Sequence, residues 1–167
     1  MPITPFHFGP GALLHAVAPK HVSFLSFCAA NVLIDFESLY NLVYRHHPVH
    51  AFFHTYVGAT VVLVAVVLLF LGSRWFASRY WLPNLLRWRE LGSKQVVIGA
   101  ALGAYSHVIL DSVMHQDIRP LSPFAASNQL LGVIPLTTLH LVCLALGAVG
   151  GLVVATRWFV AGGENAR

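Results

Sequence analysis

The sequence predicts an all-α polytopic membrane protein, and three observations carry that prediction. First, 57% of its 167 residues are hydrophobic and only 10% are charged, where a soluble domain carries about a quarter charged residues; the mean hydropathy is +0.70. Second, four apolar stretches each approach the roughly 20 residues that cross a bilayer as a helix. Third, acidic residues are scarce, yet Asp35 and Asp111 lie inside those stretches. An ionisable group at that depth is costly and marks a functional site by default.

Residues 1–19 carry Pro2, Pro5, Pro10 and Pro19 and no basic leader. They predict an interfacial or re-entrant segment rather than a cleavable signal. The first span, about 21–42, is the most polar. The second, about 54–72, contains the unbroken apolar run from Val61 to Phe70. The third runs about 95–114 and the fourth about 133–159. Together they make residues 1–167 one membrane-embedded domain. Gly99, Gly103 and Ala104 in the third span, and Gly147, Gly150 and Gly151 in the fourth, allow close helix approach. Between these spans, residues 116–132 form a loop long enough to cover one end of the bundle. Cys28 and Cys143 sit in apolar surroundings and read as packing residues.

Orientation follows from Arg74, Arg79, Arg87, Arg89 and Lys94, which crowd the link between the second and third spans with only Glu90 opposing them. The positive-inside rule puts this link, and with four spans both termini, in the cytoplasm of a cell with the chain in its inner membrane. Trp75, Trp81 and Trp88 read as interfacial anchors. A formal charge of +4 beside two spans fits anionic lipid headgroups rather than nucleic acid. Membrane lipids are therefore the expected partners, with self-association left open.

The same topology gathers candidate ligands. Asp35 and Glu37 fall late in the first span, His50 and His54 at the start of the second, and His107, Asp111 and His115 late in the third. Antiparallel helices bring all three groups to one side of the membrane. His50 with His54, and His107 with Asp111, are spaced i, i+4, which puts each pair on one face of a helix. Imidazole and carboxylate suit zinc and related divalent ions, and the set exceeds what one four-coordinate ion needs, so one or two ions are expected. Chance spacing, or a structural His–Asp hydrogen bond, would account for either pair taken alone. Asp35 and Glu37 stand about 200° apart around a helix, so either the helix ends there or the two have different roles. A carboxylate near the ion but not bound to it can accept a proton, which makes Glu37, and alternatively Asp35, the catalytic candidates.

The stretch Gly103 to Ser112, with Ser106-His107-Val108-Ile109-Leu110-Asp111 at its centre, followed by Pro120-Leu121-Ser122-Pro123-Phe124, resembles the inner-membrane-associated metal-dependent hydrolases of the LexA-regulated type. Leu33-Ile34-Asp35-Phe36-Glu37 is similar to that family's acidic motif, and His50-Ala51-Phe52-Phe53-His54-Thr55 to its paired-histidine motif. Ile34, Glu37, Ala51 and Phe52 depart from the usual residues. Ala51 stands where the family carries an arginine able to hold a phosphate or carboxylate; Arg119 in the loop is a partial substitute. The resemblance implies a hydrolase distantly like zinc-dependent phospholipases, and it adds His7, in Thr4-Pro5-Phe6-His7, as a metal ligand.

The function expected from residues and resemblance together is hydrolysis of a lipid or other membrane-associated ester or phosphoester by metal-activated water. Two other classes use the same residues: a membrane metal-ion carrier or sensor, and a non-catalytic structural subunit. The wholly apolar second span below His54 lacks the polar path a carrier needs.

Overall fold

The computed structural model describes residues 5–164, with side chains described to residue 160; Pro2 and Thr4, named above, fall outside it. A single 3-10 turn at Pro5–His7 leads into five α-helices: α1 (Phe8–Val17), α2 (Phe24–Val43), α3 (Tyr56–Ala77), α4 (Ser93–Met114) and α5 (Leu136–Glu164). Further 3-10 turns lie at Phe52–His54 and Leu85–Glu90, and no strand occurs among the described residues.

Three helices are long and apolar enough to cross a membrane: α3, α4 and Leu136–Val160 of α5. The all-helical membrane fold therefore stands, with three such helices rather than the expected four. The first expected span does form a helix of 20 residues, α2. Asn31, Asp35, Glu37 and Asn41 are spread along it, so it holds no stretch as apolar as the best stretches of the other three. Their distribution is one-sided. Ser26, Asn31, Asp35, Ser38 and Asn41 are buried, while Val32, Phe36, Leu39, Tyr40 and Val43 are exposed. Both sets recur at helical spacing, so α2 is polar towards its neighbours and apolar outwards.

Small residues set how closely the helices pack. A Cβ at Gly103 would run into the Phe27 carbonyl, and one at Gly99 into the Ser23 carbonyl and the Ser26 hydroxyl. Glycine at these two sites thus lets α4 lie backbone to backbone along α2. Next to this contact, Ala59, Val62 and Val66 of α3 form an apolar core with Ala30 and Ile34 of α2 and Ala100, Ala104 and Val108 of α4. At about 25 cal/mol per Å² of apolar surface, such burial is the main favourable term. α1 runs parallel to α5: Gly9 lies against Cys143 and Gly147, Leu13 against Gly150, and the Arg157 guanidinium donates to the Ala16 carbonyl.

α3 starts at Tyr56, where the Thr55 hydroxyl caps it by accepting from the Gly58 N–H at 2.9 Å. The second span was expected to begin at residue 54. His54 instead ends the Phe52–His54 turn, and Ala51 before it is non-helical, with φ −104° and ψ −123°. His50 and His54 are therefore not an i, i+4 pair on one helix. Their proximity comes from the turn.

The loop after α4 folds across the same end of the bundle. The Tyr56 N–H donates to the Pro120 carbonyl at 2.9 Å, Asn128 Nδ2 donates to the Ser112 carbonyl at 2.8 Å, and Ile118 is buried.

Candidate metal centre

Four elements meet at this end: α2 with Asp35, the Phe52–His54 turn with His54, α4 with His107 and Asp111, and the Pro5–His7 turn with His7. His54 and His107 are wholly buried, Asp111 and His7 are 2% exposed, and Asp35 is 7% exposed. His107 Nε2 lies 3.2 Å from Asp111 Oδ2 and 3.4 Å from Asp35 Oδ1, and His54 Nε2 lies 3.4 Å from Asp111 Oδ2. One ligand atom from each of Asp35, His54, His107 and Asp111 falls within 4.8 Å of all the others.

Yet these short separations are not aligned as hydrogen bonds. His54 Nε2, His107 Nε2, His7 Nε2 and Asp111 Oδ1 are all buried without a hydrogen-bond partner. Buried polar atoms are almost always paired, and a group of exceptions calls for an explanation. A divalent ion supplies one. Two ligand atoms, each about 2.0–2.1 Å from a tetrahedral ion, stand about 3.3–3.4 Å apart, and three of the pairs here lie 3.2–3.4 Å apart, with all four atoms within 4.8 Å. Two imidazoles and two carboxylates also form a donor set that zinc and its neighbours accept. The residues fit a metal.

A supporting group points the His107 imidazole inwards. His107 Nδ1 lies 2.9 Å from Asn31 Oδ1, and Asn31 Nδ2 in turn donates to the Phe27 carbonyl at 2.9 Å. With its proton on Nδ1, His107 presents the Nε2 lone pair to the carboxylates, the arrangement found behind metal-bound histidines. His54 lacks such a bond: its Nδ1 is buried without a hydrogen-bond partner, with Glu37 Oε2 4.0 Å away.

The expectations for individual residues fare differently. Asp35, His54, His107 and Asp111 come together as expected. His7 joins them: its Nε2 lies 3.2 Å from Asp111 Oδ1 and its Nδ1 3.2 Å from His107 Nδ1. A topology with residue 1 beside the basic link had made that approach difficult. The short α1 resolves it, since its first residues lie level with the cluster. Glu37 lies beside His54 and outside the four-residue group. Its two oxygens accept from the Phe52 N–H at 3.1 Å and the Phe53 N–H at 2.6 Å. Through these two contacts Glu37 positions the backbone of the His54 turn. α2 is regular through Val43, so the 200° offset sends Asp35 and Glu37 to different neighbours.

His50 belongs to a second group, with Asp111 and His115, whose ligand atoms also lie within 4.8 Å of one another. Its ring stacks on that of His115, with centroids 4.1 Å apart. Asp117 holds it through two contacts: the His50 N–H donates to Oδ2 at 3.0 Å, and Nδ1 sits 2.9 Å from Oδ1. Burial, reinforced by the neighbouring His50, pushes His115 down to about 4. Burial and the nearby His54 ring lower His50 as well. Both rings are then neutral near pH 7, the form that binds metals. Burial would raise the Asp117 carboxyl, but the hydrogen bonds from His50 outweigh it and hold it below its usual value.

Sequence reasoning missed Asn31 and Asp117. Asn31 had a visible signal, a polar residue one turn before Asp35 in an apolar span. Asp117, in the loop, had none. A cavity of about 680 Å³ adjoins this second group, lined by His47, His50, Thr55, Asp117, Arg119 and Ser122.

Compared with protein-family models, curated proteins and solved structures, the chain matches none.

Proposed function

We propose that this chain is a membrane-bound metal-dependent hydrolase acting on a lipid or other membrane-associated ester or phosphoester. The observation that carries the reading is the set of buried, unpartnered donor atoms on His54, His107 and Asp111, with Asp35 beside them, at ligand spacing. The motif resemblance to the inner-membrane-associated metal-dependent hydrolases supports it. A divalent ion, taken here as zinc, supplies a Lewis acid and a water acidic enough to ionise near neutral pH.

The protein's own residues do the rest. Asp35, His54, His107 and Asp111, with His7 alongside, bind the ion. Asn31 and Glu37 keep His107 and His54 in register. With Asp35 among the ligands, Glu37 is the acidic candidate that lies beside the ion without binding it, its oxygens also accepting from the Phe52 and Phe53 N–H groups. The cavity with Arg119 on its wall is where substrate enters, and Arg119 is the cation for an anionic headgroup.

A carrier would need polar groups continuing through the bundle. Past the cluster the inward faces are Ala59, Val62 and Val66 on α3 and Val96, Ala100 and Ala104 on α4, which favours chemistry over transport. We place the chain in an inner membrane with the Arg74–Lys94 link cytoplasmic and the cluster near the opposite side. Impermeant labelling of Ser78→Cys and Val49→Cys, in a background lacking Cys28 and Cys143, tests this; Val49→Cys alone should label from outside intact cells.

The activity is tested with purified protein in lipid nanodiscs, given phosphoester and carboxylic-ester probes and a mixed phospholipid extract. Turnover that a chelator abolishes and zinc restores is expected. Stoichiometric metal with no turnover on any ester, together with ion flux in vesicles, would replace the enzyme with a carrier.

A further inference from the structure

We infer that a second divalent cation binds at this end of the bundle, held by His50, His115 and Asp111, with Asp111 bridging it to the first ion. The inference deepens the hydrolase reading and rests on it only in taking the first ion as bound.

The orientation of His50 is the starting point. Asp117 fixes its ring through Nδ1 at 2.9 Å and its backbone N–H at 3.0 Å. The other ring nitrogen, Nε2, is left buried without a partner, in a side chain only 6% exposed. A histidine whose far nitrogen is held by a carboxylate while the near one stays free is built as a ligand. The His115 ring lies against it with planes 28° apart, so two imidazoles are offered side by side. A purely structural stack would not leave a buried nitrogen unpaired.

Asp111 supplies the third donor and the connection. Its Oδ2 faces His54 and His107 of the first group. Its Oδ1 is buried without a hydrogen-bond partner, and His7 Nε2 at 3.2 Å is the nearest further donor there. A carboxylate with an oxygen within 4.8 Å of the ligand atoms of each group is placed to join two ions, which in paired sites stand about 3.5–4 Å apart. The adjoining cavity, walled by His50 and Asp117, leaves room for the water that an open coordination position needs. Asp117 itself is a positioning residue, acting through His50.

The test uses the full chain in detergent, stripped with a chelator and titrated with Zn2+ while bound metal is measured. The wild type should take up two equivalents and His115→Ala about one. Asp117→Asn preserves the shape of the site. It should weaken the second equivalent about tenfold and leave the first unchanged, so the inference stays testable even if His115→Ala does not fold. Loaded instead with Mn2+, the wild type should give an exchange-coupled paramagnetic resonance spectrum that His115→Ala loses. One equivalent in the wild type would overturn the second site and leave the hydrolase reading standing. No metal at all would overturn both. Two equivalents in His115→Ala, or an unweakened second equivalent in Asp117→Asn, would overturn the assignment to these residues, and two ions without exchange coupling would overturn the bridge.

Discussion

The two halves of α4 do opposite things. Facing the bundle, its first half presents Val96, Gly99, Ala100, Gly103 and Ala104, all small or apolar; its second presents His107, Asp111 and Ser112, interrupted only by Val108. The first half stabilises the fold by burial and by backbone contact with α2. The second half buries a carboxylate and two neighbouring imidazoles without complete hydrogen bonding, which costs several kcal/mol unless something compensates. Stability and function are thus separated along one helix, and the rigid half fixes the depth at which the other half offers its ligands.

The comparison can be broken first in the apolar half, where the largest effect is expected. Gly103→Leu drives a side chain into the Phe27 backbone, which has no flexible end to yield. Overpacking of this kind costs about 1–3 kcal/mol and sometimes more. We expect loss of monodisperse, thermally stable protein on size exclusion. Gly151, where a Cβ meets open space, should accept leucine unchanged.

In the polar half the sign reverses. Asp111→Asn and His107→Ala should lower metal content at least tenfold. Metal-free Asp111→Asn should be as stable as metal-free wild type or more so, because a buried carboxylate charge is removed without loss of volume. A lower melting temperature of metal-free Asp111→Asn, measured against metal-free wild type, would mean that the cluster is structural.

A smaller effect is expected one contact away. Asn31→Leu deprives His107 Nδ1 of its acceptor and should weaken metal affinity about tenfold with the fold retained. Affinity equal to wild type would show that the ring needs no such support.

The smallest effect concerns Glu37. Glu37→Gln keeps an acceptor for one of the two backbone N–H groups, so metal should stay bound and turnover should fall by less than about tenfold. Asp35→Asn should lose metal. A fall of about a hundredfold in Glu37→Gln with metal intact would make Glu37 the general base.

Much of this was legible in the sequence because the relevant signals are local. Apolar runs of about 20 residues located α3, α4 and α5, and the i, i+4 spacing of His107 and Asp111 held because α4 is regular through Met114. What was not legible depended on features that periodicity does not encode. The Thr55 cap moved the start of α3 and left His50 and His54 before it, on a turn that keeps their rings 4.8 Å apart while placing His50 in the second group. α2 was read as a span, yet its inward polar residues lower its hydropathy, and those same residues build the site. The approach of His7 depended on α1 being a half-length helix against α5, and the role of Asp117 on how a long loop folds back.

Metal content of the purified wild type beside a His54→Ala/His107→Ala double variant, by elemental analysis after identical preparation, tests the central claim most directly. At least one equivalent of a divalent metal in the wild type and under a tenth in the variant is the predicted result. A wild type without metal, or equal content in the two proteins, would contradict it.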